Sequence, residues 1–327
     1  MKAVRMNRAG DSGVLEYTDH PDPVPGPGQV LLAVAAAGVN FMDIAVRQGK
    51  VWTNMPNPKI LGVEGAGRVL ALGEGVDDFA VGDRVAWGYG PGSYAEKVVL
   101  PAGSLVALPD DIDFRTAAAL MVNGLTASHF ATEFHPIQPG DVALVHAAAG
   151  GVGTVLTQLI KLRGGKVIAR VSSEAKAAVA RKAGADEVIV DREGDFVDAV
   201  MRFTDGQGVD VLYDGSGPAT FQASLDALRP AGTFCWYGPV LEASRTIELF
   251  QLPRSIKIGY ASFLDHIRTP ERLRRHAQWL FEQVREGRLR VFDGGSFPLA
   301  DAARVHDDLW NRRTTGKLVL IPQEDMP

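Results

Sequence analysis

The residues with the clearest chemical potential lie in the segment His146–Gly153, whose sequence is HAAAGGVG. An apolar run that predicts a strand, Asp141–Val145, leads into it, and a run that predicts a helix, Thr154–Arg163, follows. A tight turn of small residues in this context lets the N–H groups of a helix N-terminus approach a phosphate. The segment therefore predicts a dinucleotide-binding turn. The three glycine positions of the G-x-G-x-x-G spacing hold Ala148, Gly150 and Gly153, so the first of them makes the turn without a glycine.

The kind of dinucleotide is predicted by the end of the second strand, about 20 residues beyond the turn. An acidic residue there would bind the ribose hydroxyls of NAD, but the strand ends in Ser172 and Ser173, with Lys176 just beyond. Small hydroxyls and a cation suit a 2′-phosphate, so we expect NADPH rather than NADH. Glu174 would repel that phosphate, and we expect it in the first turn of the next helix, where the helix dipole favours an acid.

Composition narrows the classes of protein to which the chain of 327 residues belongs. Apolar residues make up 46% of it, and its formal net charge of −5 argues against a nucleic-acid partner. The single cysteine, Cys235, excludes a disulfide framework and a zinc site of several cysteines, and its apolar surroundings predict a buried thiol. Because no apolar run has the length of a membrane span or the pattern of a signal peptide, we expect a cytoplasmic protein with no membrane partner.

Hydrophobic patterns divide the chain into three zones, and the first two have distinct architectures. Up to about Val122, short apolar runs separated by Gly- and Pro-rich corners predict a barrel-like β domain. The second zone alternates strands with helices, which implies a parallel sheet. Its predicted strands are Val142–Ala147, Lys166–Val171, Glu187–Val190, Val209–Asp214, Gly232–Tyr237 and Ser255–Ala261. Its predicted helices are Thr154–Arg163, Glu174–Ala183, Phe196–Phe203 and Ala219–Leu228.

The third zone, from about Phe263, is mixed and too short for an ordinary independent domain. It holds predicted helices at Pro270–Glu286 and Ala302–Asn311 and a predicted strand at Lys317–Ile321. We therefore expect it to complete the first zone. Residues 1–122 and 264–327 would form one domain, and residues 123–263 would form the dinucleotide-binding domain.

The segment Gly140–Lys161 is more specific than its glycines, since it also carries a Gly-Asp pair, Gln158 and Lys161 at characteristic spacing. Four further segments agree with it. They are Ala37–Asp43 (AGVNFMD), Gly62–Gly67 (GVEGAG), Asn123–Ala127 (NGLTA) and Asn311–Pro322 (NRRTTGKLVLIP). Over nearly its whole length the chain resembles the zinc-free quinone oxidoreductases of the medium-chain dehydrogenase/reductase superfamily, the group that includes zeta-crystallin. The resemblance implies an α/β fold in which a Rossmann doubly wound parallel-sheet domain interrupts a GroES-like β-barrel domain.

The resemblance also implies hydride transfer without a metal. Alcohol dehydrogenases of the superfamily hold a catalytic zinc with a Cys, a His and a second Cys, and the corresponding positions here carry Asn40, Val63 and Val122. Valine cannot bind zinc, and an amide is a poor ligand. Glu64, which lies beside the metal in zinc enzymes, is expected to pair with a local arginine. Because a quinone or enone accepts hydride without an alkoxide to stabilise, we expect NADPH-dependent reduction of quinones or related α,β-unsaturated carbonyls.

Several side chains follow as site candidates. Asn40 is the candidate catalytic residue, since the resemblance places it near the nicotinamide; its alternative role is turn capping. Thr126 is expected to start a helix and bind a phosphate, with helix capping as its alternative. Asp43 and Arg47, four residues apart, predict an ion pair. The candidate cofactor contacts are Asn40, Thr126, Ala148, Gly150, Gly151, Val152, Gly153, Ser172, Lys176, Arg192, Gly215, Gly238 and Arg312.

At two positions the chain lacks a tyrosine that the resembling family uses to contact the cofactor or the substrate. Asp191 replaces a tyrosine that helps to hold adenine, and Ala45 replaces another tyrosine, so the pocket could be wider. Two other functions stay open, an enoyl-thioester or alkenal double-bond reductase and a non-catalytic NADPH-binding sensor or structural protein. The last two predicted strands of the second zone, with the intervening Pro239–Arg254, form a sheet edge that pairs between subunits in the resembling family, so a homodimer is expected.

Overall fold

The computed structural model describes residues 1–55, 57–238, 247–248, 250 and 252–322. The chain forms two compact units. The first unit comprises Met1–Leu125, Ile267–Gly287 and Val291–Pro327, and the second comprises Thr126–His266 and Arg288–Arg290. The two main divisions lie a few residues beyond the expected ones, which followed residues 122 and 263.

The N-terminal part of the first unit consists mainly of β-strands separated by Gly- and Pro-rich turns. The strands are β1 (Lys2–Met6), β2 (Glu16–Asp19), β3 (Gln29–Gly38), β4 (Lys59–Ile60), β5 (Glu64–Leu72), β6 (Arg84–Gly88), β7 (Lys97–Pro101) and β8 (Leu105–Ala107). A short helix, α1 (Phe41–Arg47), follows β3. Strand β1 lies between β2 and β4 in a small antiparallel sheet. Trp87 and Tyr94 are fully buried in the apolar core of this unit, which fixes the strands around them.

Helix α2 (Phe114–His129) leads from the first unit into the second, and a π-helical turn, Phe130–Phe134, continues it. The helix begins after Asp113, whose carboxylate accepts hydrogen bonds from the backbone N–H and the hydroxyl of Thr116 at 2.9 and 2.6 Å. This cap satisfies the first turn of the helix. The prediction that a helix starts at Thr126 is therefore wrong, because Thr126 lies well inside α2 and cannot cap it.

The second unit contains a six-stranded parallel sheet. Its strands are β9 (Val142–His146), β10 (Lys166–Val171), β11 (Glu187–Val190), β12 (Val209–Asp214), β13 (Leu228–Trp236) and β14 (Lys257–Tyr260). Its helices are α3 (Gly151–Leu162), α4 (Glu174–Lys182), α5 (Val197–Phe203) and α6 (Phe221–Asp226). The spatial order is β11-β10-β9-β12-β13-β14, and every pair is parallel. This is the 3-2-1-4-5-6 order of a Rossmann fold, so the predicted doubly wound sheet is confirmed.

The C-terminal segment returns to the sheet of the first unit. It contains α7 (Pro270–Arg285), β15 (Asp293–Pro298), α8 (Ala302–Trp310) and β16 (Lys317–Ile321), in agreement with the predicted helices and strand to within a residue. Strand β16 pairs antiparallel with β3, so that the larger sheet has the order β15-β16-β3-β5-β6-β8, with β7 also paired to β3. The register aligns Val319 with Gly38, which brings the start of β16 opposite the residues that follow β3.

The segment Arg288–Arg290 belongs to the second unit because of Gln158 on α3. The Nε2 atom of Gln158 donates to the carbonyl of Arg290 at 2.9 Å, and its Oε1 atom accepts from the N–H of Arg290 at 2.8 Å. This pair of bonds is long-range in sequence, so the patterns along the chain gave no sign of it.

The structure bears on the expected burial of Cys235 and on the expected lack of a membrane span. Cys235 lies on β13 with no exposed surface, and burial raises the pKa of its thiol well above the usual range, so the prediction of a buried cysteine is confirmed. In the described ranges, no helix combines the length and the apolar character needed to cross a lipid bilayer.

Candidate functional site

The dinucleotide-binding turn follows β9 as predicted. Ala147 has a left-handed backbone with φ of 49°, so the tight turn is made at Ala147 rather than at Ala148. Gly150 is the N-cap of α3, and its N–H donates to the carbonyl of Ala147 at 2.9 Å. A Cβ atom on Gly153 would lie 2.6 Å from the carbonyl oxygen of Ala147, so only glycine allows the helix to pack this closely on the turn.

The first turn of α3 suits an anion. Within the described ranges no side chain caps this helix end, and its first turn has no acidic residue. The backbone N–H groups of Gly151, Val152 and Gly153 belong to the positions that have no partner within the helix, and the helix dipole adds positive potential. These residues therefore fit a pyrophosphate, as the sequence predicts.

Two of the candidate cofactor contacts, Ser172 and Arg192, lie together beyond the end of β10. The Nε atom of Arg192 donates to the carbonyl oxygen of Ser172 at 2.7 Å, which holds the guanidinium beside the serine. Ser173 caps α4 by accepting from the N–H of Lys176 at 3.4 Å. Glu174 occupies the first turn of α4, as predicted, and pairs with Arg181 at 3.7 Å. Glu174 is thus paired within its own helix, and Ser172 and Arg192 lie at the strand end.

Asp191 has a structural role in the segment that follows β11. Its carboxylate accepts from the Nε atom of Arg170 at 2.6 Å, and both side chains are 9% exposed. It also accepts from the backbone N–H groups of Glu193, Gly194 and Asp195 at 2.9 to 3.2 Å. The residue that replaces the tyrosine of the resembling family therefore fixes the position of Arg192.

Gly215 and Gly238 follow β12 and β13 and lie against each other. A Cβ atom on Gly238 would be 3.0 Å from the Cα atom of Gly215, and one on Gly215 would be 2.7 Å from the ring of Tyr237. The strand end is fixed by Asp214, whose carboxylate accepts from the N–H of Ser216 at 2.6 Å. Both glycines therefore allow the chain segments after β12 and β13 to approach each other closely at the carboxyl edge of the sheet, the edge where a Rossmann fold binds its ligand.

The first unit holds a second candidate cluster, formed by Asn40, Glu64 and Lys317. The amide of Asn40 donates to Glu64 Oε1 at 2.7 Å, and the ammonium of Lys317 donates to Asn40 Oδ1 at 2.7 Å and also to Glu64 Oε1. The other carboxylate oxygen accepts from the N–H of Val122 at 2.6 Å. The side chains of Lys317 and Glu64 are 4% and 0% exposed. The first unit thus contains a buried ion pair in which both carboxylate oxygens accept hydrogen bonds.

A chain of hydrogen bonds extends from this cluster through α1. The carboxylate of Asp43 accepts from the N–H of Asn40 at 2.8 Å and from the hydroxyl of Tyr94 at 3.2 Å. The same hydroxyl lies 3.1 Å from Nε2 of His306, and Nδ1 of His306 lies 3.4 Å from the guanidinium of Arg47. The predicted ion pair between Asp43 and Arg47 is therefore wrong, because other buried groups engage the two side chains.

Burial shifts the pKa values of the titratable groups in this series of hydrogen bonds, and the shifts of Asp43 and His306 bear on its protonation. It raises the pKa of Asp43 to about 7, against the opposing effects of the Asn40 N–H and the charge of Lys317. Burial, assisted by the charge of Arg47, lowers the pKa of His306 to about 3, so this imidazole is neutral at physiological pH. A neutral His306 that accepts from Arg47 at Nδ1 donates from Nε2 to Tyr94, and Tyr94 then donates to Asp43.

The residues at the zinc-ligand positions do not fit a zinc ion. Val63 and Val122 are buried and offer no ligand atom in their side chains. The amide of Asn40 is already bonded at both ends, to Glu64 and Lys317. The ammonium of Lys317 places a positive charge against the same oxygen atoms, and this charge would repel a dication.

Lys317 is a site residue that the sequence motifs do not single out. The expected partner of Glu64 was a local arginine, and this prediction is wrong, because β16 brings Lys317 to Glu64 from 253 positions along the chain. A signal was present: Lys317 begins the apolar run KLVLI, and Glu64 stands in the small-residue run GVEGAG. A charged residue in an otherwise buried strand requires a partner of opposite sign, and these two residues carry opposite charges.

The two remaining candidate cofactor contacts, Thr126 and Arg312, belong to neither of the clusters described above. Thr126 is 8% exposed within α2. Arg312 lies on the exposed turn after α8 with a left-handed φ of 57°, and its N–H donates to the carbonyl of Leu309 at 3.0 Å. Of the aromatic residues near the sheet end, Tyr237 packs on Phe130 at 4.8 Å between ring centroids, whereas Tyr260 is 72% exposed.

Known proteins match this chain over almost its full length. The zinc-binding dehydrogenase family matches residues 151–280, and the alcohol dehydrogenase GroES-like domain matches residues 26–110. A quinone oxidoreductase of Pseudomonas aeruginosa is 39% identical, over 98% of this chain and 99% of its own length. A 2-haloacrylate reductase of Burkholderia sp is 37% identical, over 91% of this chain and 92% of its own length. The structure of an Escherichia coli quinone oxidoreductase complexed with NADPH superposes with a TM-score of 0.93 at 33% identity, covering 98% of this chain and 100% of that one.

The GroES-like match and the Rossmann topology confirm the predicted fold class. With relatives at this identity and coverage, the chain belongs to the medium-chain dehydrogenase/reductase superfamily, in its quinone oxidoreductase group.

We predict that Lys317→Met destabilises the first unit by about 3 kcal/mol, because it leaves the carboxylate of Glu64 buried without its cation. The double variant Lys317→Met/Glu64→Gln should recover most of that loss, since it removes both charges. Urea denaturation of the two single variants and the double variant measures the coupling. Additive effects in this cycle would show that the pair is not an energetic unit.

We also predict a pH-dependent stability term from Asp43. Because its pKa in the folded state is about 7 and its reference value is 3.8, the folded state binds the extra proton between these values. The protein should therefore lose stability as the pH rises from about 4 to about 7, relative to Asp43→Asn, and the difference should then level off. Urea midpoints at several pH values test this, with Asp110→Asn, at an exposed carboxyl, as the control. A parallel pH dependence of wild type and Asp43→Asn would contradict it.

Proposed function

We propose that this protein reduces quinones, or related α,β-unsaturated carbonyl compounds, with NADPH and without a metal. The observation that carries the proposal is the pairing of a phosphate-binding turn at Gly150–Gly153 with the Ser172–Arg192 contact at the next strand end. The relatives named quinone oxidoreductase and the NADPH complex of one of them support the same cofactor and acceptor. We assign NADPH binding to the second unit and the acceptor side to the first.

The proposed roles of the cofactor-binding residues follow from their positions. The N–H groups of Gly151, Val152 and Gly153 would bind the pyrophosphate, while Gly150 and Ala148 shape the turn. Ser172, Lys176 and Arg192 would bind the 2′-phosphate. Gly215 and Gly238 would admit the cofactor at the sheet edge, and Thr126 and Arg312 are proposed as further polar contacts.

Asn40 is the proposed catalytic residue, and the structure suggests how it would act. NADPH supplies the hydride when bound, and a quinone gains negative charge on oxygen as it accepts that hydride. The amide of Asn40 uses one hydrogen for Glu64 and has a second that could bind this oxygen. Lys317 donates to the amide oxygen of Asn40, which polarises the amide and makes it a stronger donor. A fixed dipole of this kind stabilises developing charge without any metal.

A second candidate function is reduction of an activated carbon–carbon double bond in an acid or aldehyde. The 37% identity to a 2-haloacrylate reductase favours keeping it. Ala45, fully buried on α1, adds no hydroxyl that would restrict the acceptor. An enoyl-thioester or alkenal reductase belongs to the same class of reaction, whereas a non-catalytic NADPH sensor would bind NADPH and reduce no acceptor. The expected location is the cytoplasm, where NADPH is available.

The assay that tests the proposed function uses chelator-treated protein, NADPH and a panel of acceptors: a simple quinone, an alkenal, a 2-haloacrylate and an enoyl thioester. We expect quinone-dependent loss of nicotinamide absorbance that persists after metal removal. Gly153→Val, which would clash with the turn, is the inactive control. NADPH binding without turnover of any acceptor would favour the sensor, and zinc-dependent activity of a protein whose fold survives metal removal would refute the metal-free mechanism.

The Ser172–Arg192 contact makes a separate prediction about cofactor choice. Arg192→Ala should raise the KM for NADPH by about 10- to 100-fold, the value of a charge-assisted bond of roughly 1.5–3 kcal/mol, and should leave the KM for NADH nearly unchanged. Lys182→Ala, at an exposed cation in the last turn of α4, is the matched control. Equal changes for the two cofactors would show that Arg192 does not bind the 2′-phosphate.

We expect a homodimer that forms through the edge of the parallel sheet. Strand β14 ends the sheet and carries Tyr260, which is 72% exposed, while most of the intervening segment Pro239–Arg254 lies outside the described residues. Light scattering should give twice the chain mass of 35.0 kDa, and Tyr260→Asp should shift the mass towards one chain. Tyr17→Asp, at an exposed tyrosine of the first unit, should not. A wild-type mass of one chain would exclude the dimer.

A further inference from the structure

We propose that the second unit contains a binding site for a divalent zinc-like cation, formed by His129, Glu133 and His266. His129 is the last residue of α2, Glu133 lies in the π-helical turn that continues it, and His266 follows the short helical turn Phe263–Asp265. One ligand atom of each residue lies within 4.8 Å of the other two. None of these residues is among the candidate cofactor contacts or the former zinc-ligand positions.

The distances match a metal site. Zinc bound tetrahedrally by imidazole and carboxylate, with bonds of about 2.0–2.1 Å, separates its ligand atoms by about 3.3 Å. The Nδ1 atom of His129 lies 3.6 Å from Glu133 Oε2, and the Nδ1 atom of His266 lies 3.0 Å from the same oxygen. Modest side-chain adjustment would therefore place one cation in contact with all three atoms.

Electrostatics points in the same direction. A carboxylate oxygen and two imidazole nitrogens each have a lone pair that can bind a cation. A ring N–H of either histidine can donate to Glu133, whereas a dication between the three atoms would contact all of them at once. The Nδ1 atom of His129 is buried, and it has no hydrogen-bond partner in the described part of the chain. This nitrogen is the one that a bridging proton on His266 would leave unsatisfied.

The surroundings would orient one of the ligands. The Nε2 atom of His266 lies 3.3 Å from the hydroxyl of Ser128. When a ligating imidazole donates from its outer nitrogen to such a group, the inner nitrogen keeps the lone pair that binds the metal. The side chain of His266 is fully buried, and that of Glu133 is 37% exposed, so Glu133 marks the side on which a water molecule could complete the coordination.

The ligand set defines the class of ion. Two imidazoles and one carboxylate, with no thiolate, suit zinc and neighbouring first-row metals rather than Ca²⁺ or Mg²⁺, which prefer oxygen ligands. Bound there, the ion would tie the π-helical turn to the segment that ends at His266. Its role is structural within the second unit, and it is separate from the metal-free hydride transfer proposed above.

Untagged, chelator-treated full-length protein should be titrated with Zn²⁺ by calorimetry and with Co²⁺ by visible absorption. We expect one equivalent to bind, with the absorption bands of tetrahedral cobalt and a higher Tm. Ser128→Ala, which removes the hydrogen-bond partner of His266, should weaken binding by ~10–100-fold. Glu133→Gln removes a ligand itself and should weaken binding by more than that. Circular dichroism confirms that the variants fold, and His276→Gln, outside the cluster, should bind as wild type does.

Several results would overturn the proposal: no binding to the wild type, binding that Glu133→Gln and His129→Gln leave unchanged, or a stoichiometry that falls in His276→Gln. These results are independent of the proposed reductase activity. Quinone turnover by the chelator-treated protein tests that activity alone, and it can succeed or fail whether or not the cation binds.

Discussion

The buried carboxylate of Glu64 is the constraint around which the first unit is organised. A carboxylate without solvent must have a cation and hydrogen-bond donors. Lys317 on β16 supplies the cation, Asn40 supplies an amide, and Val122 on α2 supplies a backbone N–H. One acid thus joins β5, β16, the start of α1 and helix α2, and any change in their arrangement would leave a charge unpaired.

The second unit depends on a different constraint, the close approach of backbone segments at the carboxyl edge of its sheet. Gly153 lets α3 pack on the turn after β9, and Gly215 and Gly238 let the segments after β12 and β13 lie against each other. The polar residues beside them are fixed by local bonds, such as those of Asp191 to Arg170 and of Asp214 to Ser216. The site is therefore shaped before any cofactor arrives, which reduces the entropy lost on binding.

The elements that were predicted well are those whose signals lie within a few residues. The turn at His146–Gly153, the strands around it and the terminal strand Lys317–Ile321 follow from local hydrophobic pattern and turn chemistry. The start of α2 was misplaced because Asn123-Gly124 has the composition of a turn, whereas the capping bonds of Asp113 and the packing of Gly124 against Leu280 extend the helix through it. Tertiary packing overrode local propensity there.

The sequence by itself determined the fold class and the nucleotide-binding turn, because both follow from residue types and hydrophobic patterns that recur locally along the chain. Only the tertiary structure decided which charges meet. Lys317 rather than an arginine faces Glu64, Arg47 faces His306 rather than Asp43, and His266 reaches His129 and Glu133. The physical reason is that a charge can be satisfied by any suitable partner in space, and strand register and helix packing, not distance along the chain, choose that partner.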